Sequence, residues 1–179
     1  DETIRDIDYI ESVIYELDNA KSIDDLEAIY DEISENSLFS DKLKVKSSSK
    51  KSSNKKAKPM TKNKLTSFNP LKYVIDGYTV LIGRNNKEND YLTCKFANKN
   101  DIWFHTKDIH GSHVILKTNP NEIVPDDVLF EVAKLAAKHS KAKNSSHVPV
   151  DFCKVSFVKK PSGSKPGYVI YSNNKTLYV

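Results

Sequence analysis

The chain has 179 residues, 38% of them hydrophobic and 29% charged, which is room for one domain or one domain with an appendage. Its formal net charge of +4 hides a segregation: residues 1–41 hold fourteen acidic against two basic side chains, residues 42–72 eleven lysines and no acid, and residues 73–179 fifteen basic against ten acidic. Nets of −12, +11 and +5 exclude a uniform globule and turn the basic stretches toward polyanionic partners. No run of about 18 apolar residues predicts a membrane span, and no basic n-region precedes an apolar stretch as a secretory signal requires. The chain starts at Asp1 and closes on the apolar run Leu177-Tyr178-Val179, so a piece of a longer protein is expected. Cys94 and Cys153 form no CxxC or Cys/His metal spacing, which argues against a disulfide framework and for two buried thiols in a reducing compartment.

The acidic segment, residues 1–41, has helical period. Ile7, Ile10, Ile14 and Leu17 repeat as a heptad-like seam, too short to establish a coiled coil by itself. A turn over Asn19 to Ser22 leads to a second helix, capped by Ser22 with Asp25 in the capping-box position and striped by Leu26, Ile29, Tyr30 and Ile33. A stripe on so acidic a segment predicts a partner arm from elsewhere in the protein rather than an independent two-helix unit. Within residues 42–70, the stretch 44–64 is built from Lys, Ser and Asn with few apolar residues, and reads as a flexible linker or a basic arm that grazes phosphate.

From about residue 71 the pattern is mixed α and β. Asp76-Gly77 between apolar runs predicts a hairpin with a type I′ turn. Asn85 to Lys95 reads as a short helix carrying Tyr91, Leu92 and Cys94 inward. Ile102 to His105 and Ser112 to Leu116 read as strands joined across Lys107 to Gly111. Alternation along the first places Trp103 and His105 on one face and Ile102 and Phe104 on the other, with one pair in the core. Pro125, Asp126 and Asp127 open a helix whose Val128, Leu129, Val132, Leu135 and Ala136 face inward, ending at Lys138. Three further strands are expected around Cys153 to Val158, Tyr168 to Tyr171 and Thr176 to Val179. The fold class predicted is α+β, a mixed or antiparallel sheet with packed helices, preceded by a helical coiled-coil fragment.

Residues 101–113 are the densest polar cluster, with three of the five histidines and the single tryptophan. His105, His110, His113 and Asp108 could be drawn as a zinc site, although the spacing matches no standard motif. Ser112 with a His and an Asp could be drawn as a nucleophile triad, although no G-x-S-x-G elbow is present. The third reading is a nucleic-acid surface, in which Trp103, Phe104 or His105 stack on bases while Lys107 and the amides around Gly111 meet phosphate. Plain packing competes with all three. Lys134, Lys138, Lys141 and Lys143 along the helix end, and Lys159, Lys160 and Lys165 on a Pro/Gly turn, support the nucleic-acid reading, with an ordinary solvated hairpin loop as the competing reading of that turn. No G-x-x-x-x-G-K-[ST] loop supports a nucleotide site.

Asn85 to Leu92, Asp101 to Val114, Ser140 to Ser146 and Val158 to Gly163, in that order, resemble the NFACT-R domain of the NFACT proteins over residues 71–179. The acidic helices resemble the end of the coiled-coil middle region that precedes it, and His110 stands where the family usually reads Pro, which implies a less rigid loop. The resemblance implies a cytoplasmic, ribosome-associated quality-control factor that binds the large ribosomal subunit with stalled peptidyl-tRNA and recruits tRNA for C-terminal alanine tailing. The Asp-Arg pair used for tailing belongs to the family's N-terminal domain, so no catalytic site and no cofactor or metal is expected here. Carried over residue by residue, Trp103, His105, Lys107, Gly111, Ser112 and His113 form the functional loop, and Lys141, Lys143, Lys159, Lys160 and Lys165 contact phosphate. The older family description implies an alternative, a surface adhesin for fibronectin; a metal-dependent enzyme is a third.

Overall fold

A computed structural model describes residues 2–36 and 68–179. The linker reading for residues 44–64 lies outside the described residues.

Two helices, α1 (Glu2–Asn19) and α2 (Ile23–Glu35), form the acidic segment. The capping box at the start of α2 is reciprocal: the Asp25 amide donates to Ser22 Oγ and the Ser22 amide donates to the Asp25 carboxylate, each at 3.1 Å. The buried face of α1 is Tyr9, Val13 and Glu16, which packs with Ile29 of α2 beside Ala20 and Ile33. The seam is a different stripe of the same helix, and it is exposed, with Ile7 51% and Ile14 49% accessible.

The remaining chain builds a six-stranded antiparallel sheet from β1 (Leu71–Ile75), β2 (Tyr78–Ile82), β3 (Ile102–Thr106), β4 (Val114–Leu116), β5 (Pro149–Lys154) and β8 (Lys175–Tyr178), in the spatial order β1-β2-β4-β3-β5-β8. The fold is α+β. Asp76 and Gly77, at φ 46° and 83°, both take the left-handed conformation that a type I′ turn demands. A small ribbon, β6 (Val158–Lys159) with β7 (Ile170–Tyr171), stands beside the sheet and carries the Lys/Pro/Gly loop at its tip.

Two layers cover the sheet, and this corrects the expectation that one of the alternating pairs along β3 lies outside the core. Helix α4 (Asp126–Lys138) lays Val128, Val132, Ala133 and Ala136 over one face, against Phe104, Val80, Ile82 and Leu116. On the other face Leu92, Val155 and the partly buried Val158, Val169 and Tyr171 close over Trp103, Leu81 and Ile115. Trp103 and Phe104, neighbours in sequence on opposite faces, are therefore both fully buried.

Three further expectations are corrected. The helix after Asn85 is α3 (Asn86–Tyr91), followed by a widened π turn over Leu92–Phe96. That turn carries Leu92 and Thr93 inward and leaves Cys94 exposed and Tyr91 39% accessible, so only Cys153 is a buried thiol. The strand expected over Cys153 to Val158 is the end of β5, a 3₁₀ turn over Val155–Phe157 and the start of β6.

Candidate nucleic-acid interface

One cleft of about 1080 Å³ gathers residues from four parts of the chain: α1, the start of α3, the loop 105–113, and the loop 161–171. Its base is an aromatic and imidazole cluster. The Trp103 ring stacks on His105, with centroids 5.7 Å apart and planes 14° apart, while His113 meets it edge-on at 5.4 Å and Tyr171 tilts against it at 4.7 Å. Thr93 Oγ1 lies 2.8 Å from His113 Nδ1, and the His113 amide donates to the Asn89 side chain at 3.0 Å. Burial holds both His105 and His113 below the usual imidazole range, His113 far below it, so the base of the cleft is uncharged at neutral pH. The Trp103 indole N–H has no hydrogen-bond partner among the described residues.

The loop above this base is fastened to the exit of α4. The Ser112 amide donates to the His139 carbonyl and the Lys141 amide to the His110 carbonyl, each at 2.9 Å. Gly111 sits at the crossing point: a Cβ there would lie 2.8 Å from Ser140 Cβ and 2.9 Å from Thr106 Oγ1, so no side chain fits. His110 is bound into this network by its carbonyl, and its ring nitrogen meets Glu11 of α1 at 3.1 Å. The looser loop implied by His110 in place of Pro is thus held by bonds to two neighbours.

The sequence-predicted site residues divide into four groups. Trp103 and His113 are buried in the base, and Trp103 as an exposed stacking platform is corrected: both faces of the sheet are covered at β3. His105, half-buried, lies between that base and the open cleft, where Gly111 and Ser112 also face. Lys107 and Lys159 are exposed and make no ion pair among the described residues. The other lysines are engaged: Lys141 lies 3.6 Å from Glu11, Lys143 donates to the Asn19 side chain at 3.2 Å, Lys160 meets Asp90 at 2.7 Å, and Lys165 meets Asp6 at 3.3 Å. Among the described residues no three His, Cys, Asp or Glu side chains converge as metal ligands, so His105, His110, His113 and Asp108 do not form a set.

Sequence reasoning missed three residues that shape the site. Asp90 ties the lysine loop to α3, Asn86 donates to Ser12 of α1 and Glu32 of α2 at 2.9 and 3.2 Å, and Arg84 joins Asp25 of α2 to Glu88 of α3 at 3.0 and 2.9 Å. All lie in or beside the Asn-rich stretch 85–90, where a run of polar residues inside a helical pattern was the available signal.

Residues 64–173 match the family model described as NFACT protein RNA binding domain. The chain belongs to the NFACT family. The NFACT RNA-binding domain thus includes the whole cleft base and both lysine-bearing loops. Among curated relatives, the Rqc2 homolog RqcH of Bacillus subtilis is 39% identical over 179 residues, 98% of this chain and 28% of that protein. RqcH of Streptococcus suis is 48% identical over 105 residues, 58% of this chain and 19% of that protein. The chain therefore spans under a third of the length of these NFACT relatives. A solved structure, the C-terminal part of the fibronectin/fibrinogen-binding protein of Streptococcus suis, superposes with a TM-score of 0.77 at 36% identity, covering 99% of this chain and 65% of that one. Among the described residues of this NFACT chain no helix is long and apolar enough to cross a membrane.

Proposed function

We propose that this chain is the RNA-contacting end of a ribosome-associated quality-control factor, which binds the large ribosomal subunit with stalled peptidyl-tRNA and recruits tRNA for C-terminal alanine tailing. The observation that carries the reading is that the 105–113 loop and the 161–171 loop, the second with Lys165, line one cleft in an RNA-binding domain, while the α4 exit that bears Lys141 and Lys143 is fastened to the first of these loops. Lysines placed this way neutralise backbone phosphates, and the accessible part of the half-buried His105 faces the cleft where a base would enter. The role is recognition rather than catalysis: the buried neutral imidazoles have packing and hydrogen-bond duties, and Ser112 uses its amide to anchor a loop. Crosslinking of the full-length protein in cells, followed by sequencing of attached RNA, tests the reading. Recovery of tRNA and large-subunit RNA supports it, and recovery of neither overturns it.

The likeness to a fibronectin/fibrinogen-binding protein of Streptococcus suis favours a second reading, an adhesin that binds fibronectin. Surface detection on intact cells with a lysis control, and fibronectin capture by the full-length protein, separate the two.

A further inference from the structure

Two of the cations expected to meet phosphate, Lys141 and Lys165, already meet carboxylates of the acidic helices. Lys165 lies 3.3 Å from Asp6 and 5.6 Å from the Tyr9 ring centroid. Glu11 is shared by Lys141 at 3.6 Å and His110 at 3.1 Å. Lys143 reaches Asn19, and Lys87 reaches Glu35 at 3.0 Å. Residues of α1, from Glu2 to Glu16, also form one wall of the cleft. The hairpin's own apolar packing is a small cluster between α1 and α2, whereas toward the domain it turns ion pairs and hydrogen bonds.

We propose that the acidic α1–α2 hairpin is an intramolecular competitor for RNA: its carboxylates occupy Lys141 and Lys165 and its first helix walls off the cleft, so that RNA must displace α1 to reach them. This rests on the RNA-binding reading above and adds a regulator to the same site. A segment with fourteen carboxylates and two cations, residues 1–41, presents a phosphate strand's sign of charge to the same lysines. Tethering makes the competition strong although each exposed ion pair is weak, since the hairpin is held at high effective concentration. Screening weakens it, because the pairs lie at or near the surface. Lys107 and Lys159, which pair with no carboxylate among the described residues, remain to start the encounter.

The test uses the full chain and a fixed probe, total tRNA, with binding measured from about 50 to 500 mM salt. Asp6→Asn with Glu11→Gln removes two of the hairpin's anions by near-isosteric change. Asp18→Asn with Asp31→Asn changes net charge equally at exposed carboxylates that do not line the cleft. The proposal expects the first pair to tighten tRNA binding at least about fivefold more than the second, roughly what two surface ion pairs are worth, with the gap narrowing as salt rises. It also expects tRNA to lower amide-exchange protection of α1 in the unmodified chain. Equal affinities for the two variants, weaker binding by the first, or α1 protection unchanged by bound tRNA overturn it while leaving RNA binding intact. No tRNA binding by any variant overturns the RNA reading, and the competition with it.

Discussion

The Asp90 carboxylate holds the Lys160 ammonium at 2.7 Å and accepts from the Gly167 amide at 3.0 Å, so one side chain of α3 grips both ends of the lysine loop. Lys160 Nζ also donates to the Lys165 carbonyl at 2.8 Å, which closes the loop on itself. Asp90→Ala is therefore expected to release the loop. It leaves Lys160 with only the Lys165 carbonyl and should cost about 1 to 3 kcal/mol, read by denaturant unfolding, with faster amide exchange across 160–167. Unchanged exchange there would show that the loop keeps its shape without Asp90.

Trp103 is fully buried among His105, His113 and Tyr171 with an unpartnered indole N–H. Trp103→Phe removes that N–H along with some volume, and is expected to cost under about 2 kcal/mol. Trp103→Ala opens a cavity and should cost about 3 to 5 kcal/mol. If the two variants lose the same stability in thermal or denaturant melts, packing against the sheet is not what holds the base of the cleft.

Lys107 and Lys159 are exposed candidate cations that make no side-chain ion pair or hydrogen bond among the described residues. Lys107→Ala with Lys159→Ala should weaken RNA binding at low salt, and should flatten the plot of log affinity against log salt by about 0.7 for each phosphate left unneutralised. A slope identical to that of the unmodified chain removes these two lysines from the interface.

Glu16 and Glu32 meet in the buried joint between the helices and α3, and burial raises both carboxyl groups above their ordinary range, with the two acids facing each other. Tyr9 donates to Glu32 at 2.9 Å, and Asn86 donates to the same oxygen at 3.2 Å. A carboxyl whose folded-state pKa is raised contributes stability below its unfolded value, near 4.5 for Glu, and loses it as pH rises through the folded value. Hairpin docking should thus tighten as pH falls from 7 toward 5, for as long as Glu11 stays ionised; His110 and Lys141 beside it keep its carboxyl low. Glu16→Gln should stabilise the joint at pH 7 by about 1 to 2 kcal/mol and flatten this dependence in amide exchange measured against pH. Docking that weakens from pH 7 to 5 in the unmodified chain would contradict it.

Elements governed by local chemistry were legible in the sequence. The Asp76-Gly77 turn, the Ser22–Asp25 box and the Pro125 entry to α4 each depend on residues within a few positions. What escaped depends on distant chain. Alternation told apart the two faces of β3, but not that α4 would cover Phe104 while residues 155–171 covered Trp103. Cys94 turned outward because a π turn changes the angular step on which an inward placement relied. In the site, the positions of the lysines were readable and their partners were not, since Lys165 pairs with Asp6 from the opposite end of the chain. Glu16, a carboxylate on an acidic helix, carries no local mark of burial.

The chain's one tryptophan lies beneath the cleft, stacked on His105. An indole so placed makes the protein its own spectroscopic reporter. Excited selectively against nine tyrosines, it lies where a change of water, charge or stacking at the cleft alters its surroundings. Binding, hairpin movement and imidazole protonation can each be followed by light from the native residue, with no label added.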